Sequence, residues 1–416
     1  MSAKAHHLPE TNQTSWQLAA IQLAGWMSLP TLATSIYILE VNSFLGAVLT
    51  ILVGNAILWF IRLGIIGMSF QNRQSTLDIS RAYFGVTGSY FIAVLLLVST
   101  LAWFIAQTTA AGSTLTHLIA IHENPQIDQF TQMSVFLGIV SAFLCMEGIP
   151  LLRSLSTFAL PLLVIAFFTI FFTLPSGDSV ENTNPLSLSG LTLILATNLG
   201  LSSDLPTFFR HSKSWSTSVK GLFIIQVVSI VLGLLSLYFG SIIMEGFEIN
   251  NQLVMASGNN VLRMALVLFI FLSVICANVA NVYSASVGWE VLAPKALVGR
   301  KEYLILGLAL TTIFILLSGL LPVHLLLAVS DISLVNLCIV LVLGSIISKR
   351  LKQEPSRYLQ SSYFTAWFVS TGADIVQTTY FGAAYSLAAN VAIIFAVFAT
   401  AIAGLKVYQY FLKKNS

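Results

Sequence analysis

Apolar runs of about 20 residues recur along this chain from Trp16 to the C-terminus, and that pattern leaves few folds open. Each run is long enough to cross a hydrocarbon layer of about 30 Å as a helix, whose backbone polar groups are satisfied within the segment. A transmembrane barrel would need shorter alternating segments, which are absent. Composition agrees: 56% of the 416 residues are hydrophobic and 8% charged, against about 25% charged in a soluble globular chain. The sequence therefore specifies an all-α polytopic membrane protein. The expected spans are 16–39, 44–68, 87–120, 133–148, 152–174, 187–202, 217–244, 259–292, 303–321, 323–347, 362–382 and 384–411. Ser370-Thr-Gly-Ala-Asp374 is expected to interrupt the eleventh, and no role is read for Asp374.

Twelve spans place both termini on one side. With the termini cytoplasmic, the inner segments hold Lys4, Arg73, Arg81, Arg153, Arg210, Lys213, Lys220, Lys295, Arg300, Lys301, Lys349, Arg350, Lys352, Arg357, Lys413 and Lys414, whereas the outer loops hold Glu123, Asp128, Asp178, Glu181, Glu245 and Glu248. That asymmetry follows the positive-inside rule, with Arg263 near an outer helix end as the poor fit. Met1–Ser15 is polar and lacks a basic segment leading into a short apolar region, so no cleaved signal peptide is expected. Cys145, Cys276 and Cys338 fall inside apolar runs without metal or redox spacing and read as small core residues.

Two spans are interrupted at corresponding places. The first contains Gly25-Trp-Met-Ser-Leu-Pro-Thr31; the short sixth runs through Thr197-Asn-Leu-Gly200 into Ser202-Ser-Asp-Leu-Pro206. Proline removes a backbone donor and disfavours helix at the residue before it. Matching broken helices point to inverted repeats around a midplane site. The chain then divides into a tail (1–15), a first five-helix repeat (16–174), a second (187–348) and a loop with two accessory helices and a C-terminal tail (349–416).

In Leu101-Ala-Trp-Phe-Ile-Ala-Gln-Thr-Thr109, helical spacing puts Trp103 and Gln107 on one face. A flat aromatic beside a paired donor and acceptor suits a planar polar ligand. The eighth span, counterpart of the third, carries Asn278 and Asn281 among apolar residues, where an unpaired carboxamide in lipid costs several kcal/mol. Of the two, Asn278 is expected to face the ligand, and Asn281 could equally make a helix–helix hydrogen bond. Asp331, inside the tenth span, is either a proton carrier or a structural carboxylate. His117 and His122 near an outer helix end are poorly spaced for a metal. No catalytic triad, Walker loop or zinc motif appears, and nothing points to nucleic acid.

With these residues placed, the chain resembles the nucleobase:cation symporter family, which includes cytosine permeases and hydantoin transporters. The resemblance rests on Met27-Ser-Leu-Pro-Thr31, Arg81-Ala-Tyr-Phe-Gly-Val-Thr-Gly-Ser89, Trp103-Phe-Ile-Ala-Gln107, Ser203-Asp-Leu-Pro-Thr-Phe-Phe-Arg210, and Asn278 followed by Tyr283-Ser-Ala. It implies the five-plus-five inverted-repeat fold, with substrate between the first, third, sixth and eighth spans. It further implies stacking by Trp103, ring-edge hydrogen bonds from Gln107 and Asn278, and a polar contact from Ser28. Asn198 stands where some relatives place a second stacking aromatic, and a carboxamide there adds hydrogen bonding in place of stacking. A cation would be held by the backbone carbonyls of Ala24 and Met27 and the hydroxyl of Ser273.

The implied function is a symporter that imports a nucleobase or related planar heterocycle with sodium or protons across the plasma membrane, the inner membrane if the cell is bacterial. It is expected to work as a monomer without a cofactor. An amino-acid or other small-solute permease of the same fold is the alternative; a membrane-embedded enzyme or a channel fits less well, because neither clustered acid–base residues nor a pore helix is evident.

Overall fold

The structure, a computed structural model, describes residues 12–119, 127–174, 187–245, 248–251, 254, 258–292, 300–317, 323–351, 355–381 and 386–414. Lys4, His122, Glu123, Asp178, Glu181, Lys295 and Lys352, weighed above, lie outside them.

Helices occupy each of the twelve expected stretches. The first span consists of Ser15–Trp26 and Leu29–Val41, and the second to fifth of Phe44–Asn72, Thr76–Ile119, Ile127–Cys145 and Ile149–Thr173. The sixth is Leu188–Ser202 followed by the single turn Leu205–Phe209. Trp215–Ile243, Asn260–Leu292, Arg300–Leu317, Val323–Leu351, Arg357–Phe381 and Ser386–Lys414 complete the series. Among the described residues, the helices of the second, third, fifth, seventh, eighth and tenth spans are long and apolar enough by themselves to cross a membrane. Met244–Glu245 and Glu248–Ile249 form a minimal antiparallel pairing after the seventh.

Helix starts follow local chemistry. Thr14 and Gln17 form a reciprocal capping box at Ser15, which satisfies two orphan amides. Gly85 breaks the third-span helix near its start, with φ +73° and ψ −175°, a conformation that only glycine adopts without strain. Gln360 of the eleventh span reaches into that kink and donates from Nε2 to the carbonyl of Ala82 at 3.0 Å.

Several of the main helix contacts pair up under exchange of the two five-span blocks. First against seventh is matched by sixth against second, fifth against eighth by tenth against third, and first against fifth by sixth against tenth. The self-paired contacts third–eighth, fourth–ninth and second–seventh are also made. This is the pattern two inverted repeats must give. The last two helices pack on each other, and the eleventh also lies along the third and tenth.

The eleventh helix corrects one expectation. It runs unbroken from Arg357 to Phe381, and Asp374 within it is buried at 4% exposure. The hydroxyl of Ser370 bonds back to the carbonyl of Trp367 at 3.1 Å, and Trp367 Nε1 donates to the carbonyl of Ser333 on the tenth helix at 2.9 Å. Tertiary packing thus supports a stretch whose own residues favour helix only weakly.

Candidate functional site

The first break is an inverse γ-turn. Met27 adopts φ −72° and ψ 57°, and the amide of Ser28 bonds to the carbonyl of Trp26 at 2.7 Å. Ser28 is extended (φ −115°, ψ 159°), and the helix restarts with the Leu32 amide on the Ser28 carbonyl at 3.1 Å. Pro30 falls in the opening turn, where an amide would have had no helical acceptor. The second break is tighter. Ser203 (φ −59°, ψ −27°) and Asp204 (φ −87°, ψ −10°) stay near helical values, and the Ser203 amide is shared between the carbonyls of Leu199 and Gly200. Both breaks are followed by the same tripeptide, Leu29-Pro30-Thr31 and Leu205-Pro206-Thr207.

A cleft of about 50 Å³ lies between these breaks and the third and eighth helices. The first span contributes Gln22, Gly25 and Trp26, the third Gln107, the sixth Leu201, Asp204 and Phe208, and the eighth Ala277, Asn281 and Ser284. Gln107 Oε1 accepts from Asn281 Nδ2 at 3.3 Å, so two carboxamides on counterpart helices meet in the cleft. Ser284 of the eighth helix and Asp204 of the second break both line the cleft. A Cβ on Gly25 would stand 3.8 Å from the Ala277 Cα, which shows how closely the first break approaches the eighth helix.

The residues singled out in the sequence divide into those at the cleft and those behind it. Gln107 lines it. Trp103, one turn earlier, is 8% exposed, and its indole Nε1 donates to Asp331 Oδ1 at 3.0 Å. Asp331 also lies against the sixth span, where a Cβ on Gly200 would come within 3.0 Å of its Oδ1. Asn278 is fully buried and donates to Thr108 Oγ1 at 2.9 Å, so Asn281 holds the position facing Gln107. Asn198 donates to the Ile194 carbonyl and accepts from Arg62, and it lines a separate small cavity with Asn55 and Ser229. Ser28, Ala24 and Met27 are buried around the first break. Ser273 stands one turn from Ala277 on the eighth helix and donates its hydroxyl proton to the Ile270 carbonyl at 3.1 Å, which leaves its lone pairs for another partner.

Arg62, in the middle of the second span, is a polar centre that the sequence reading passed over. Its side chain has 0% exposure. Nε donates to Ser202 Oγ at 2.9 Å, NH1 to Gln226 Oε1 at 3.0 Å and NH2 to Asn198 Oδ1 at 3.1 Å. The guanidinium carbon lies 4.5 Å from the centroid of the Trp26 ring. Gln226 is held in turn by the carbonyl and side chain of Asn55, at 2.8 and 2.7 Å. Among the described residues no group of His, Cys, Asp and Glu could hold a metal ion.

A family model described as permeases for cytosine/purines, uracil, thiamine and allantoin matches residues 9–347, from the N-terminal tail to the end of the second repeat. The chain belongs to this family. It is therefore a membrane permease and not an enzyme, and the family expected from the sequence is the one found. No curated protein matches the permease. Among solved structures, Mhp1, described as a nucleobase-cation-symport-1 family transporter in a closed conformation with bromovinylhydantoin bound, is 15% identical over 96% of each chain, with a TM-score of 0.69. Its inward-facing conformation is 14% identical over 97% of this permease and 95% of that chain, with a TM-score of 0.67. A sodium-coupled sialic acid symporter in a substrate-bound outward-open state is 13% identical, covering 94% and 90%, with a TM-score of 0.69. At these identities the likeness is one of fold.

Proposed function

We propose that this permease is a symporter that imports a neutral planar nitrogen heterocycle of nucleobase or hydantoin type. The observation that carries the reading is the Gln107–Asn281 pair, two carboxamides meeting inside a cleft walled by both helix breaks. Their mutual bond uses one acceptor and one donor. Gln107 Nε2 and Asn281 Oδ1 remain, a donor and an acceptor matching the C=O and N–H edges of such rings. Entry of a ring exchanges one amide–amide bond for two or more bonds to ligand, each worth about 0.5–1.5 kcal/mol net. Phe208 and Leu201 supply apolar surface. The cleft is narrow and walled by both breaks; in this reading the half-helices part to admit the ring, and their return closes the path behind the substrate.

Trp103, Asn278 and Asn198 act from behind the cleft in this reading, by holding Asp331, Thr108 and Arg62. The coupling ion, sodium or a proton, needs no further cofactor. Oxygens around the first break, the carbonyls of Ala24 and Met27 with the lone pairs of Ser273, suit a hard monovalent cation. Asp331 is the alternative proton carrier. The basic inner segments orient both termini to the cytoplasm of a cell whose plasma membrane holds the protein as a monomer.

Uptake of labelled cytosine, uracil, hypoxanthine and hydantoin into proteoliposomes tests the reading. Gln107→Ala should weaken apparent affinity for the transported compound about 5- to 150-fold, the equivalent of about 1–3 kcal/mol. Unchanged transport by correctly inserted protein would remove Gln107 from the site.

A further inference from the structure

We propose that a groove between the second, seventh and tenth spans holds an anionic phospholipid of the leaflet on the side of the termini. The groove, of about 730 Å³, opens on the outside of the bundle, where Phe60 is 72% exposed and Ile346 47%. That volume falls in the range of ligand sites, about 300–1,000 Å³. Along the second helix the groove runs from Phe60 to Gln71, a rise of about 16 Å at 1.5 Å per residue. Half of a hydrocarbon core of about 30 Å is about 15 Å, so the groove is one leaflet long.

Its polarity is graded as a phospholipid's is. Gly64 stands level with Val342, since a Cβ on it would meet Val342 Cγ1 at 3.1 Å. Gln71 and Lys349 lie about two turns further along their parallel helices and so mark one end, on the side of the termini. Trp215 opens the seventh helix there and packs on Phe70, with ring centroids 5.7 Å apart; the Arg73 guanidinium carbon lies 4.5 Å from the Phe70 centroid. Among the described residues no acidic side chain lines the groove. Two cations, an interfacial tryptophan and the amide of Gln71 suit a phosphodiester carrying net negative charge.

The apolar end alone would select nothing, because lipid tails are as apolar as the side chains they would leave. Shape adds to the charge. Gly64 lets the tenth helix approach, and Gly67, whose Cβ would stand 3.7 Å from Trp215 Cη2, leaves the floor hollow for an acyl chain. The walls come from both five-span blocks, so the bound lipid bridges them and favours the conformation in which they stand this way.

Thermal unfolding of the purified protein in detergent, titrated with dioleoyl phosphatidylglycerol or dioleoyl phosphatidylcholine, tests the proposal, since a ligand of the folded state raises the melting point. Phosphatidylglycerol should reach half-maximal stabilisation at a concentration about 5- to 30-fold lower, the equivalent of about 1 kcal/mol for each of one or two cations. Lys349→Gln should shrink that ratio about 5-fold. Gly67→Leu fills the channel and should abolish stabilisation by both lipids; if this variant fails to fold, Lys349→Gln decides. Equal potency of the two lipids on the wild type, an unchanged ratio in Lys349→Gln, or undiminished stabilisation in folded Gly67→Leu overturns the proposal. So does inorganic phosphate that stabilises as well as phosphatidylglycerol, which would make this a site for free anions. A dimer in light scattering that Gly67→Leu separates also overturns it, and would make the groove a contact between copies.

Discussion

Replacing Arg62 with methionine isolates the energetics of the buried cluster. Methionine keeps most of the aliphatic stem, so no large cavity opens, but every donor is lost. Gln226 Oε1 and Asn198 Oδ1 lose their partners; Ser202 Oγ keeps its own bond to the Asn198 carbonyl at 2.6 Å. Two orphaned buried acceptors at about 1–3 kcal/mol each sum to about 2–6 kcal/mol. Relief from burying an unneutralised cation, several kcal/mol in principle, offsets part of this and brings the expected loss to about 2–4 kcal/mol. Arg62→Met combined with Asn198→Leu removes donor and acceptor together, so the pair should couple by about 1–3 kcal/mol. Unfolding in mixed detergent micelles, monitored by tryptophan fluorescence, gives the four free energies of the cycle. Wild-type stability in Arg62→Met, or a coupling below about 0.5 kcal/mol, would show that the bonds to Asn198 and Gln226 do not hold the helices together.

Gly85→Ala should destabilise the protein by about 1–3 kcal/mol, because φ +73° with ψ −175° is open essentially to glycine alone and the added Cβ would meet Gln360 Oε1 at 3.1 Å; an unshifted unfolding transition would contradict the kink. Asp331→Asn preserves an acceptor for the Trp103 N–H, so stability should fall by only about 1 kcal/mol. In the same variant, uptake driven by a sodium gradient should persist and uptake driven by a proton gradient should stop. Loss of uptake in a carrier shown to need sodium would place Asp331 in structure or ligand binding.

The helices and their breaks were legible in the sequence because both have local causes: the length of apolar runs fixes the spans, and proline with glycine fixes where the ladder opens. The pairing of the blocks followed from the matching breaks. Side-chain destinations were legible only in part. Helical spacing places Trp103 and Gln107 on one face, but it does not say that Asp331, far along the chain, waits there to take the indole N–H. Asn278 and Asn281, three residues apart, point about 60° from each other; which of them meets Gln107 depends on the rotation of the eighth helix, set by its packing against the third. Arg62 did leave a signal, a charge in mid-span, yet a tally of charges in the loops passes over it.

A bundle of membrane helices, its two breaks and the family follow from composition and local backbone preference. Which polar groups share a cleft, and which hold the helices from behind, follows from how the helices pack. In a bundle almost every carboxamide and charge must find a partner inside, and which partner it finds is a property of helix rotation and depth that no single helix encodes.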